Sequence, residues 1–413
     1  MNRACRKRPC RLRAVGPLAP YFEPYSEYLA DRGYSQVSYW HKTFLINEFS
    51  RWLDDKGIGA SEIGSEHEAA FLADSARFRD PKLGDPVTLS AVTSWLRDQG
   101  VIEEPATVAT EISEIDRMMQ EYSSYLHEDR GLAPATVENY CRNVRPFLAD
   151  ISRATGLSID TLQAGKIADY IQRNAPKERT FVSAKHVVTA LRSFFRFARY
   201  RDYIHADLAA SVPSVAGWSM ASIPRAMPAD SVQILLTESK TWRTPAGLRN
   251  RAILLLLARL GLRAGEVARL ELDDIDWRAG CLHIHGKGRT ERPLPLPYDV
   301  GEAIAAYLEN GRPASVCRRM FLCSRAPFGQ FKGSSDVCVI VTRAIARAGI
   351  EGVRGGAHQL RHALAVGMLR QGASLTDIGQ MLRHRSTETT RRYAKVDLDA
   401  LREVALPWPE ATP

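Results

Sequence analysis

Long apolar stretches are missing from this chain of 413 residues. The longest unbroken run, Ala252 to Ala258, falls far short of the ~20 residues that a bilayer-crossing helix needs. The first residues are rich in arginine rather than apolar, so no secretory leader is read there and a cytoplasmic protein is expected. Cysteine is sparse and unpatterned: Cys5, Cys10, Cys141, Cys281, Cys317, Cys323 and Cys338 include no C-x-x-C pair. Such an odd, scattered set does not read as a disulfide framework, and reduced thiols are the better reading. Acidic residues are outnumbered, 47 against 56 Lys and Arg, for a net charge of +9, which favours a polyanionic partner such as nucleic acid without proving one. A hydrophobic content of 45% excludes disorder, and the length calls for two or three packed domains.

What is present divides into segments. Residues 1–20 open as a basic tail with Arg3, Arg6, Lys7, Arg8, Arg11 and Arg13. Residues 21–105 read as a small helical N-terminal domain, where Phe44, Ile46, Phe49, Trp52 and Leu53 fall near helical spacing. Residues 111–212 read as a second helical domain, with a helix through Met118, Tyr122 and Leu126 stopped at Gly131. Tyr25 to Gly33 resembles Tyr122 to Gly131 with one residue inserted, so both duplication and chance similarity of amphipathic helices stay open. Within Lys185 to Arg199, Val187, Leu191, Phe194, Phe195 and Ala198 share one helical face, while Lys185, Arg192, Arg196 and Arg199 line another. That basic stripe is either a seat for DNA phosphates or a solvated surface. Residues 213–228, with Pro213, Gly217, Pro224 and Pro228, form a linker to a third domain at 229–413.

The third domain mixes periods. Helices are expected at 229–239, 248–260, 265–270, 300–310, 334–348, 358–371, 375–382 and 387–394. Strand alternation at 281–285 and 290–297 flanks Gly286-Lys287-Gly288-Arg289, a hairpin, with a possible third strand at 320–323.

Cutting a phosphodiester without water requires a nucleophile, cations for the non-bridging oxygens and a proton donor for the leaving oxygen. His358 and Arg361 stand at i and i+3 near a helix start, on one face and beside free backbone N–H groups. Arg263, in Gly261-Leu262-Arg263-Ala264-Gly265-Glu266, is either a structural ion pair with Glu266 or a phosphate clamp. Lys287 sits between glycines at the hairpin tip, either an ammonium entering a DNA groove or an ordinary turn lysine. Tyr393 ends a segment crowded with arginine, whose field is expected to lower the phenol pKa; the other reading is a helix-end tyrosine with its ring packed and its hydroxyl in water.

The ordered set of Arg263, hairpin Lys287, His358-x-x-Arg361, His384 and Tyr393 resembles the tyrosine recombinase, or phage integrase, family. The resemblance covers 229–396 strongly and 111–212 more loosely, as the family's helical core-binding domain. It implies a mainly α fold with a small antiparallel β-sheet, and a site-specific recombinase that cuts and rejoins double-stranded DNA through a 3′-phosphotyrosyl bond at Tyr393. It makes Arg263 and Arg361 phosphate clamps, Lys287 the acid for the 5′-hydroxyl, His358 an aid to proton transfer and His384 a hydrogen-bond donor to the phosphate. Lys185, Arg192, Arg196, Arg199 and Arg289 would lie on DNA. No metal or cofactor is implied, and no membrane. The expected partners are DNA sites and a homo- or hetero-tetramer joined through the apolar tail of Leu398, Leu401, Val404, Leu406 and Trp408, with accessory proteins possible. One departure stands out: the family's Leu-Gly-His is Leu382-Arg383-His384 here. Arg383 either displaces His384 or adds a phosphate contact.

Three alternatives compete. His358 and His362 stand at i and i+4, a metal-hydrolase spacing that lacks the glutamate of H-E-x-x-H, and Cys281, His283 and His285 share a strand face. A non-cutting DNA-binding accessory protein would keep the fold and drop the chemistry. A type IB topoisomerase would share the phosphate chemistry without exchanging strands between duplexes.

Overall fold

The computed structural model describes residues 14–80, 82, 84–102, 113–155, 159–160, 162–174, 181–214, 226–285, 291–353, 355–384 and 386–396. The chain divides into two compact units, 104–221 and the remainder, 1–103 with 222–413. The basic tail at 1–13, most of the linker and the C-terminal tail from 397 lie outside the described residues.

The N-terminal stretch folds as α1 (Phe22–Asp31), α2 (Gln36–Asp55), α3 (Ser65–Ser75) and α4 (Asp85–Asp98). Ser35 caps α2 by accepting the Ser38 N–H at 3.2 Å, satisfying a donor the helix itself cannot. Leu29, Ile46, Phe49, Leu53, Leu89 and Leu96 form a core of their own. Phe44, one of the apolar residues near helical spacing, is 46% exposed, because the inward stripe of α2 runs through Thr43, Ile46, Phe49, Ser50 and Leu53.

Residues 104–221 hold α5 (Glu114–Ser124, continued by a π turn Tyr125–Asp129), α6 (Pro134–Thr155), α7 (Ala164–Asn174), α8 (Phe181–Tyr200) and α9 (Leu208–Ser211). Tyr122, Phe147, Phe194, Phe195 and Phe197 dominate this core, with Tyr122 and Phe194 edge to face at 5.4 Å. The residues that follow α1 and the π turn include Gly33 and Gly131, both left-handed at φ 75° and 59°, so the sequence echo marks equivalent helix ends.

In the third segment come α10 (Ala229–Ser239), α11 (Pro245–Arg259) and α12 (Ala264–Arg269), then β1 (Ile275–Asp276), β2 (Cys281–His285) and β3 (Glu291–Pro295). After these follow α13 (Tyr298–Asn310), α14 (Ser334–Arg347), α15 (His358–Arg370), α16 (Leu375–Met381) and α17 (Thr387–Arg391), closed by a 3-10 turn Arg392–Val396. α11 starts at Pro245, three positions before the expected start at 248, because Thr244 caps it and proline at the first helical position gives up no bond. Its buried residues point all round, Ile253, Leu254, Leu256 and Leu257 alike, since α12, α13, α14 and α15 all pack on it. The sheet is antiparallel in the order β1-β2-β3, with Leu282 opposite both Ile275 and Leu294. Its third member is therefore 275–276 and not 320–323, where Leu322 makes only an isolated bridge to Gln330. Among the described residues no helix is long and apolar enough to cross a membrane.

Candidate active site

The site begins with a turn. Gly261, at φ 57°, closes α11 where a Cβ would stand 2.7 Å from the Leu382 side chain and 2.9 Å from that of Leu364, so only glycine fits. Its carbonyl accepts a hydrogen bond from the Arg361 guanidinium, which also donates to the Leu382 carbonyl. Arg361 is 5% exposed and thus ties the end of α11 to the end of α16 from its place on α15. Burial, then the neighbouring Arg263, brings its pKa down to about 10, so it remains a cation at neutral pH.

Arg263 stands just ahead of α12 with 44% of its side chain exposed. It donates from Nη1 to Glu266 Oε1 at 2.7 Å, and its backbone N–H donates to Oε2 at 2.8 Å. The ion pair foreseen in the sequence is therefore made, and the guanidinium still faces solvent. Burial pushes the Glu266 carboxyl up, but the Arg263 N–H and the guanidinium groups of Arg383 and Arg263 outweigh it and hold the pKa below the usual value.

Arg383 takes a left-handed backbone, φ 54°, the conformation glycine would adopt freely and one that costs another residue about 1 kcal/mol. The turn is kept: Arg383 and His384 donate their backbone N–H groups to Gln380 and Gly379 at 3.0 and 2.9 Å. The Arg383 guanidinium is 9% exposed and donates to Glu266 Oε2 at 2.9 Å. It neither displaces the turn nor projects outward.

His384 Nδ1 lies 2.8 Å from Thr390 Oγ1, and its ring is parallel to that of Tyr393 at 6.3 Å. Tyr393 is 2% exposed, packed with Ala365, Val366, Ile378 and Leu382. Its hydroxyl is 2.7 Å from His362 Nδ1. Here the sequence expectation is corrected: burial raises the Tyr393 phenol pKa, and Arg361 and Arg392, which pull the other way, do not overcome it. His362 had stood out only as a metal ligand spaced from His358; its signal was its position one residue after Arg361, on the inward face of α15. His358 opens α15, exposed, with a pKa lowered by desolvation first and then by Arg361 and Arg263.

Arg263, Arg361, His384 and Tyr393 are therefore brought together from four segments, with His358 one turn from Arg361. Lys287 and Arg289 lie outside the described residues. On α8, Arg192 donates to the Val212 carbonyl at 2.9 Å and to Ser214 Oγ at 2.8 Å, Arg199 pairs with Asp207 at 3.5 Å, and Lys185 and Arg196 are exposed. The metal alternatives find no geometry among the described residues: no three His, Cys, Asp or Glu side chains converge there, His362 Nδ1 faces Tyr393, and His285 Nε2 pairs with Asp274 at 2.8 Å.

Burial, followed by neighbouring charges, takes both His362 and His384 down to about 4 from 6.5. A histidine that stays neutral in the fold but protonates when unfolded stabilises the protein above the unfolded pKa and loses that contribution as pH falls toward the folded one. Thermal stability is therefore expected to drop between pH 6.5 and 4. In melting curves across this range, His384→Gln should flatten the drop; an unchanged slope would count against neutral His384.

Guanidinium groups, imidazoles and a tyrosine converging on one spot define a site suited to a phosphodiester. Residues 225–399 match the model of the phage integrase family, and 119–202 match that of the phage integrase N-terminal SAM-like domain. The integrase/recombinase protein y4rA of Sinorhizobium fredii is 48% identical, over 95% of both chains. The tyrosine recombinase XerD of Mycobacterium tuberculosis is 31% identical over 71% of this chain and 97% of its own. In fold, the chain resembles XerH site-specific recombinase bound to its difH substrate, with a TM-score of 0.58 at 19% identity, covering 77% of this chain and 94% of that one. It also resembles a lambda integrase tetramer bound to a Holliday junction, with a TM-score of 0.51 at 17% identity, covering 76% and 87%. The chain belongs to the phage integrase, or tyrosine recombinase, family. Its class is that of site-specific recombinases.

Proposed function

We propose that this recombinase cuts and rejoins double-stranded DNA through a 3′-phosphotyrosyl bond on Tyr393. The observation that carries the reading is the packing of Arg361, His384 and Tyr393, from three separate helical segments, around one spot. Arg263 and Arg361 neutralise the non-bridging oxygens, His384 hydrogen-bonds the phosphate, and His358 assists proton transfer. Lys287 protonates the departing 5′ oxygen. The Tyr393 oxygen attacks phosphorus as the 5′ oxygen leaves, and rejoining runs the same step backwards, so no water or external energy is consumed.

In this proposal, residues 21–105 are an added helical domain, 111–212 the core-binding domain with Lys185, Arg192, Arg196 and Arg199 toward DNA, 213–228 the linker and 229–413 the catalytic domain. The tail beyond 396 docks on a neighbouring subunit in a tetramer, in which accessory proteins can take part. Deleting 397–413 should then leave binding to a single site intact and remove complexes that pair two sites on native gels; undiminished pairing would sink the tail's role.

The function is tested by incubating the protein, in EDTA, with a nicked duplex carrying its site and looking for an SDS-resistant protein–DNA adduct. An adduct supports covalent strand transfer. Specific binding without one would favour the non-cutting accessory role.

A further inference from the structure

We infer that Arg383 is a positioning residue for strand cleavage: its guanidinium shares the Glu266 carboxylate with Arg263 and so restores to the site the positive charge that Glu266 would otherwise cancel. The inference rests on the recombinase reading above and on the phosphate contact proposed there for Arg263.

Three observations carry it. The Glu266 carboxylate is buried, 7% exposed, and holds two cations, Arg263 Nη1 on Oε1 at 2.7 Å and Arg383 Nη2 on Oε2 at 2.9 Å. Without Arg383, Arg263 and Glu266 would form a closed pair with no net charge, a poor clamp for an anion. With Arg383 the three groups carry one net positive charge, and the exposed guanidinium is Arg263, not Arg383. The geometry also joins two parts of the site, since Arg263 Nη2 lies 3.4 Å from the Arg383 carbonyl. The turn bearing His384 is thereby fastened to the turn bearing Arg263. Lastly, the arginine is held at φ 54°, a backbone region in which glycine would be relaxed, so something in the folded state has to compensate for its presence. The buried ion pair with Glu266 is that compensation.

The groups facing the cluster have the same sign. Burial does most to depress the pKa of His384, and Arg361, Arg263, His362 and Arg383 add to that effect in this order. Arg383 therefore acts on two neighbours at once: it supplies charge beside Arg263 and helps keep His384 neutral.

The test uses the full-length protein and single-turnover adduct formation on a nicked duplex carrying its site, at saturating protein. Arg383→Gly relieves the left-handed backbone, so the variant is expected to fold, with its melting temperature as the check. The wild type should form adduct, and Arg383→Gly should do so about tenfold more slowly, the order expected from removing one charge near a partly solvated phosphate, with site affinity nearly unchanged. Arg383→Lys should recover most of the rate, because it returns the charge. On a duplex whose scissile phosphate is a methylphosphonate, which lacks the anionic oxygen that Arg263 would meet, the gap between wild type and Arg383→Gly should narrow. A folded Arg383→Gly variant that matches the wild-type rate would overturn the inference, as would an equal deficit on both duplexes, the mark of a merely structural role. If the wild type itself forms no adduct, the recombinase reading fails, a result distinct from either.

Discussion

Tyr393→Phe is expected to leave no SDS-resistant adduct under conditions where the wild type forms one, a loss of at least ~10⁴-fold in a reaction that has no other nucleophile. The fold should survive the change. The ring keeps its packing against Ala365, Val366, Ile378 and Leu382, and only the hydrogen bond to His362 Nδ1 is lost, worth about 1 kcal/mol. The variant should therefore bind the same site and melt within a few degrees of the wild type. Denaturing gels of labelled duplex, run beside a melting curve, decide the matter. An adduct that persists would place the nucleophile elsewhere in the chain.

Arg361→Lys should be nearly as damaging, by two routes that must be separated. A lysine cannot donate to the Gly261 and Leu382 carbonyls together as the guanidinium does, because it lacks the planar fork. Each buried acceptor left without its partner costs about 1–3 kcal/mol, so the variant should be less stable and the turns after α11 and α16 should loosen. The rate should fall by about 10²–10³ even in molecules that remain folded, the scale seen when one preorganised donor to a developing oxyanion is removed. Measuring adduct formation well below the variant's melting temperature isolates the second effect. A folded Arg361→Lys variant with the wild-type rate would remove Arg361 from the clamp.

Much of the fold was legible in the sequence, because helix ends are written in local chemistry. α10 spans the expected residues, and β2 does so as well. The errors came where tertiary pairing decides. A two-residue strand such as β1 has too little length to show a period; it exists because Ile275 pairs with Leu282. Spacing alone does not tell the exposed Phe44 from the inward stripe of α2, which includes the polar Thr43 and Ser50 that apolar periodicity ignores.

The site divides in the same way. Its residue types and order could be read along the chain, and the consequence of an arginine after Leu382 could be posed as a question of backbone strain. The answer depended on distance: Glu266 is 117 positions away and within reach of the Arg383 side chain. The phenol was misjudged because arginines are visible in sequence and burial is not. For Tyr393, desolvation proved larger than the field of Arg361 and Arg392.

That covered phenol also makes the protein its own reporter. Tyr298 is 86% exposed and Tyr200 64%, against 2% for Tyr393. A mild iodinating or nitrating reagent added to the free protein would mark Tyr298 and Tyr200 early and Tyr393 late, with the other buried tyrosines. The order of labelling along the chain, read by mass spectrometry, would then record when the proposed nucleophile leaves its cover, in a mixture where no strand has yet been cut.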